Sequence, residues 1–127
     1  MSDRGGYLVP VRSYRDLDVW KNGIEIANQV YEITQDFPTE ERFGLGSHMR
    51  KSGVSIPSNI AEGHARRYRG DYIRFCRIAL GSVAELETQL VIAARQDYVG
   101  GHRLRRLEDT LDYEGRMLSK LIQKLNG

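Results

Sequence analysis

The sequence predicts an all-α fold, an antiparallel up-down-up-down four-helix bundle with a proline-kinked second helix. Apolar residues recur at alternating spacings of three and four residues over four long segments. Short connections around residues 37–39, 64–70 and 98–101 separate these segments, as antiparallel helical neighbours require. No segment alternates with period two over a length that would indicate a sheet.

The length and composition indicate a single globular domain. The chain has 127 residues, of which 40% are hydrophobic and 28% are charged, so it can bury one core. We predict a flexible N-terminal tail over residues 1–12, followed by the bundle over residues 13–127. The start of the chain lacks the pattern of a secretory signal, and a single cysteine, Cys76, is consistent with a reducing compartment. The predicted location is the cytoplasm, with no membrane partner.

The first helix is predicted to begin at Ser13, which with Asp16 resembles a capping box. It is expected to end near Phe37 and Pro38, with Thr39 as the N-cap of the second helix. The apolar stripe predicted for the first helix consists of Leu17, Trp20, Ile24, Ala27, Tyr31 and Thr34.

The second helix contains the stretch SGVSIPSNIAEG, whose proline lies within an otherwise helical pattern. Pro57 lacks an N–H, and its ring meets the carbonyl of Gly53, where a glycine tolerates a distorted backbone. We therefore expect a bend within one long helix more than a break. The expected apolar stripe consists of Leu45, Met49, Ile56 and Ile60, with Ser52 and Gly53 between them.

The third and fourth helices carry the clearest heptads. In the third, the spacing is uninterrupted over Tyr72, Cys76, Ala79, Val83, Leu86, Leu90 and Ala93. In the fourth, leucines occupy the seam at every position except Glu114: Leu104, Leu107, Leu111, Leu118, Leu121 and Leu125. Gly115 beside it permits close helix approach, or Glu114 has a polar partner, and the sequence leaves both open.

Positive charge is concentrated in one stretch. The whole chain has a net charge of +2, but residues 50–77 carry +5. Arginine offers bidentate contacts to phosphate and tyrosine offers a ring for base stacking. The candidate nucleic-acid-binding residues are therefore Arg50, Lys51, Arg66, Arg67, Tyr68, Arg69, Arg74 and Arg77, and the alternative is a solvated helix face.

A polar stripe follows the second helix at spacings of four and three: His48, Ser52, Ser55, Asn59 and Glu62. These residues either repair the backbone around the proline, line a pocket, or meet a neighbouring subunit. Together with Ser82 and Glu85 of the third helix, we regard Ser55, Asn59 and Glu62 as a candidate interface or polar network.

Two motifs, SIPSNIAEG and ALGSVAELETQL, carry a resemblance that covers residues 14–125. The sequence is similar to the family of small four-helix bundle proteins encoded in intervening sequences of bacterial 23S ribosomal RNA genes. The signature residues present here are Pro57, Asn59, Glu62, Gly63, Ser82, Glu85 and Glu87. Glu114 departs from the pattern, in which an apolar residue is usual.

The resemblance implies a ring-like homo-oligomer, with five copies in the forms associated with the fold, and no established activity. A related bundle family serves as the accessory factor of a reverse transcriptase, and its members are more basic than this chain.

The sequence contains no pattern that indicates an enzyme. The three histidines are scattered, without HExxH, CxxC or a paired Glu-x-x-His motif, so we expect no metal and no cofactor. Cys76 lies on an apolar seam, where a thiol is usually inert. We therefore expect a non-enzymatic, homo-oligomeric, pentameric binding platform for RNA or another polyanion. The alternative is a protein-interaction adaptor, such as an accessory subunit of a nucleic-acid-processing enzyme.

Overall fold

The computed structural model describes residues 13–127, which form four α-helices and no strand, so the predicted all-α bundle is confirmed. The predicted tail, residues 1–12, lies outside the described residues. The helices are α1 (Asp18–Thr34), α2 (Leu45–Ala65), α3 (Arg69–Arg95) and α4 (Gly101–Asn126). Short 3-10 helices at Tyr14–Asp16 and Thr39–Glu41 precede α1 and α2. In the part of the chain described here, no helix has both the length and the hydropathy needed to cross a bilayer.

The helix starts differ from their predicted positions. Ser13 accepts a bond from the backbone N–H of Arg15 and so caps the 3-10 turn, while α1 itself begins five residues later. Thr39 likewise belongs to a 3-10 turn. Because the N-cap of α2 is a glycine without a capping side chain, the carboxylate of Glu41 accepts the Leu45 N–H at 3.3 Å. The same Glu41 accepts a bond from the Tyr98 hydroxyl, which joins the two connections at this end of the bundle.

The predicted seams of α2, α3 and α4 form the core. Every residue of the predicted α3 seam is buried. On α2, Ser52 and Gly53 are buried between the apolar residues of the stripe, as the sequence predicted. The predicted α4 seam is buried at Leu107, Leu111, Glu114 and Leu118. Its other members, Leu104, Leu121 and Leu125, are half-buried, and Ile122, which was not predicted, is buried instead.

The stripe predicted for α1 is wrong. Helix α1 has two apolar stripes, and the one that faces the core consists of Val19, Ile26, Val30 and Ile33. Of the predicted stripe, only Thr34 is buried. Ile24 and Tyr31 are 36% and 49% exposed. The predicted stripe therefore covers the outer side of the bundle.

Each helix packs against two neighbours: α1 and α3 both contact α2 and α4. Contacting residues run in opposite directions on adjacent helices. Gly23 and Gly53 of the α1–α2 pair face Pro57 and Val30 respectively. On the α2–α3 pair, Gly63 lies against Phe75, and Ser55 bonds Ser82 farther along.

Pro57 lies inside α2, which continues as a helix on both sides of it. Its ring is buried against Gly23: a Cβ added to this glycine would lie 3.3 Å from Pro57 Cβ. The glycine of α1 thus provides the space that the proline ring occupies. The helix is not divided in two, and the size of the predicted bend stays a prediction.

Candidate nucleic-acid interface

The α2–α3 junction brings most of the predicted basic residues to one end of the bundle. Arg66 is the C-cap of α2, Tyr68 is the extended N-cap of α3, and Arg69 is the first residue of α3. Arg67 between them has a φ of 69°, a left-handed conformation that is uncommon without glycine. The chain therefore reverses direction within the three residues that separate α2 from α3.

Phe75 lies between two arginines at this junction. The guanidinium carbon of Arg66 is 4.9 Å from the centre of its ring and that of Arg74 is 4.4 Å away. Both distances are typical of cation–π contacts. The buried ring of Phe75 thus fixes two positive charges close together on the surface.

Both arginines also pair with carboxylates, one exposed and one half-buried. Arg66 lies 3.0 Å from Glu62, one helical turn earlier, and Arg74 lies 3.7 Å from Asp71. The side chains of the first pair are 46% and 53% exposed. Pairs this exposed contribute little to stability, so an incoming phosphate can replace the carboxylate at small cost.

Further exposed groups extend this surface. Tyr68 is 58% exposed, and Arg77 is exposed one turn beyond Arg74. A shallow groove on α3 runs between the two arginines and is lined by Gly70, Ile73, Arg74, Arg77 and Ile78. We call the set Arg66, Arg67, Tyr68, Arg74 and Arg77 the junction surface.

Arg69 has a different position from its neighbours. It is half-buried, and its Nη1 donates to the backbone carbonyl of Leu125 at 3.4 Å. This contact joins the start of α3 to the end of α4, where positive charge also complements the helix dipole. Arg69 therefore stabilises the bundle in addition to contributing positive charge at the junction.

Arg50 and Lys51 lie apart from the junction surface. Arg50 precedes Arg66 by sixteen residues on one helix, a separation of about 24 Å. Its Nε donates to Thr34 Oγ1 at 2.8 Å, and its guanidinium lies 4.8 Å from the centre of the Tyr31 ring. The basic stretch thus forms two separate surfaces.

Three of the five candidate network residues meet. The hydroxyls of Ser55 and Ser82 are 2.8 Å apart across the α2–α3 contact. Asn59 Nδ2 donates to the hydroxyl and to the backbone carbonyl of Ser55, both at 2.8 Å. Glu62 instead faces Arg66, and Glu85 is exposed. The network therefore joins two helices of the same chain.

The comparison with known protein families decides what kind of protein this is. The family model described as 23S rRNA-intervening sequence protein matches residues 15–120. The chain belongs to the 23S rRNA-intervening sequence protein family. A comparison with curated proteins finds no match.

A solved structure has the same fold as this 23S rRNA-intervening sequence protein. It is the crystal structure of a protein with unknown function from the S23 ribosomal protein family of Bacteroides thetaiotaomicron VPI-5482. The two chains are 24% identical, with a TM-score of 0.76, and the match covers 83% of this chain and 95% of the other. At this identity the comparison supports the fold alone.

This family member carries a buried polar group on the α4 seam, at Glu114. The side chain is fully buried. Burial raises its pKa to about 7, while a hydrogen bond from Asn22 opposes that rise. The sequence showed the unusual glutamate but not its partner, because Asn22 lies on a helix whose core face was predicted incorrectly.

Two other titratable groups, Cys76 and Tyr72, are buried on α3. Burial raises the pKa of Cys76 to about 12, and the negative charge of Glu114 adds to this effect. Burial also raises the pKa of Tyr72.

Across residues 13–127, no group of three or more histidine, cysteine, aspartate or glutamate side chains is placed to hold a metal ion. The chemistry that the described surface offers is charge, hydrogen bonding and ring stacking.

Proposed function

We propose that this protein is a non-enzymatic, homo-oligomeric binding platform for RNA or a similar polyanion. The observation that carries the proposal is the junction surface, where Arg66 and Arg74 flank Phe75 beside exposed Tyr68. Guanidinium groups contact phosphates in a bidentate manner, and an exposed aromatic ring stacks on an unpaired base. Together they favour a single-stranded segment over a small anion.

The local electrostatics support a polyanion. The junction carries Arg66, Arg67, Arg69, Arg74 and Arg77 against two nearby acids, Glu62 and Asp71. Both acids form ion pairs at the surface, with Arg66 and with Arg74. A phosphate group that takes the place of either carboxylate therefore displaces only a weak contact. Affinity for a chain of phosphates then comes from several such exchanges and the release of counterions.

Assembly strengthens the proposal. In a pentameric ring, as the family resemblance implies, the junction surface recurs five times. A long polyanion that binds one copy meets the next at a high effective concentration, so weak individual contacts add up. We therefore expect binding to increase with the length of the RNA.

Binding of a fluorescent single-stranded RNA should be measured by polarisation over a range of salt concentrations. The test variant is Arg66→Ser/Arg74→Ser/Arg77→Ser, which spares Arg69 because of its contact with Leu125. We expect it to weaken binding on the order of 10-fold or more and to reduce the salt dependence.

The matched control removes the same charge elsewhere: Arg95→Ser/Arg105→Ser/Arg116→Ser, all exposed residues outside the junction. It should bind as the parent does. Equal loss in both triple variants would attribute binding to overall charge, and no loss in the test variant would refute the junction surface. A stoichiometric protein that co-purifies after nuclease treatment would instead favour the adaptor function.

A further inference from the structure

An apolar groove follows the outer side of α1 and α2. It is lined by three residues of the stripe predicted for α1, by Tyr14 of the preceding 3-10 turn and by residues of α2. Its aromatic and aliphatic members are Tyr14, Trp20, Ile24, Ala27, Val54, Pro57 and Ala61. Val54 is 42% exposed and Ile24 is 36% exposed. The core-facing residues of α1 lie on a neighbouring face of the helix, so the groove is apolar surface in addition to the core. We take this apolar surface as the starting point for a contact with another protein chain.

The groove has a positively charged border. Lys51 is exposed on α2 beside Val54 and Tyr31, and Arg50 stacks on Tyr31 at the same border. An occupant that combines apolar side chains with a carboxylate would match both properties of the surface.

The outer side of α3 has these properties. Ile78 and Ile92 are 43% and 46% exposed. They are fourteen residues apart, with Glu85 exposed midway between them. A spacing of seven residues places all three on one face of the helix. We call them the α3 stripe.

Lys51 and Glu85 lie at nearly the same height along the bundle. The hydrogen bond between Ser55 and Ser82 sets the level of α2 against α3. Lys51 precedes Ser55 by four residues and Glu85 follows Ser82 by three, and the two helices run in opposite directions. Both residues therefore lie towards the same end of the bundle. Along the helix axes, Lys51 lies about 6 Å from Ser55 and Glu85 about 4.5 Å from Ser82. Rotation about an axis parallel to the helices keeps every copy at the same height, so in such a ring Lys51 of one copy and Glu85 of the next lie at similar levels.

We propose that the α1–α2 groove receives the α3 stripe of a second copy of this chain, with Lys51 facing Glu85 of the partner subunit. This inference rests on the homo-oligomeric state in the proposed function. Because the two surfaces differ, the contact is head-to-tail, and each copy offers one groove and one stripe.

A charge exchange tests the contact. Lys51→Glu and Glu85→Lys each place like charges together, so each should raise the dissociation constant of the oligomer on the order of 10-fold or more. The double variant restores an opposite pair and should restore assembly. Native mass spectrometry and light scattering at near-physiological salt give the subunit number for the parent and the three variants.

Matched controls are Glu87→Lys and Lys120→Glu, which instead reverse charges at a separate groove between α3 and α4, lined also by Leu80 and Leu111. These should assemble as the parent does. Single variants that keep the parental mass, or a double variant that stays dissociated, would overturn the assigned pair while leaving polyanion binding intact. A parent that is monomeric would overturn this inference and the assembly in the proposed function together, whereas loss of RNA binding alone would leave the contact standing.

Discussion

Asn22 of α1 donates a hydrogen bond from Nδ2 to Oε1 of Glu114 of α4 at 3.0 Å. The same nitrogen lies 3.1 Å from the carbonyl oxygen of Thr110. The second carboxyl oxygen of Glu114, Oε2, is buried and has no hydrogen-bond partner within residues 13–127. One half of this carboxyl group is therefore satisfied and the other is not, which favours its protonated form.

The stability of the bundle should fall as pH rises. The pKa of Glu114 is raised from 4.5 to about 7 in the fold. Between these values the folded state holds a proton that the unfolded state has released, so unfolding becomes easier with each step in pH. The full difference amounts to about 3 kcal/mol and is reached above the folded pKa. Urea unfolding at intervals from about pH 4.5 to pH 8 measures it.

Glu114→Gln is the matched variant for this prediction, because an amide keeps the shape and can still accept from Asn22. It should remove most of the pH dependence, whereas Glu108→Gln on the exposed side of α4 should preserve it. If the parent and Glu114→Gln show the same slope against pH, then another group causes it.

Gly63→Ala should destabilise the bundle. A Cβ at this position would lie 2.7 Å from Phe75 Cβ and 3.3 Å from Tyr72 Cα, so α2 and α3 would have to move apart. We expect a loss of about 1–3 kcal/mol in the free energy of unfolding, as for other overpacked contacts.

Gly115→Ala is the matched control within a helix. The nearest atom that a new Cβ would meet there is Val83 Cγ1, at an ordinary 3.9 Å. Alanine should stabilise this helix by about 0.5–1 kcal/mol because of its higher helix propensity. Chemical denaturation of the two variants and the parent compares them, and similar stability in both variants would contradict the close α2–α3 contact.

Cys76 should be inert in the folded protein. Its side chain is fully buried, and its pKa is raised to about 12. The nucleophilic thiolate is therefore scarce at neutral pH and shielded from reagents. A thiol-reactive dye should label native protein far more slowly than protein in denaturant, as followed by mass spectrometry. Equal labelling rates would show that the α3 seam opens readily.

The sequence predicts most of the core of α2, α3 and α4 because each of these helices has one dominant apolar seam, uninterrupted on α3 and broken only by Ser52 and Gly53 on α2 and by Glu114 on α4. It fails on α1, where two apolar stripes lie side by side. The stripe containing Ile24 and Tyr31 has more large residues, but the one containing Ile26 and Val30 faces the core. Periodicity identifies amphipathic faces, and only packing against the other helices determines which face is buried.

The sequence predicts only part of the candidate nucleic-acid interface, because a local pattern does not determine which distant residues meet in the fold. Residues close in sequence stay together at the α2–α3 turn, as Arg66 and Arg74 do around Phe75. Arg50 does not join them, because sixteen residues of continuous helix separate it from Arg66. The role of Arg69 as a link to Leu125 depends on a contact across 56 residues, which no local pattern indicates.

Trp20 is the chain's single tryptophan, and it lies in the outer groove, edge-on to Tyr14 at 5.5 Å between ring centres. Intrinsic fluorescence excited at the indole band therefore reports on the outside of α1 more than on the buried seam. For the contact proposed above, a spectral shift on dilution would report subunit separation.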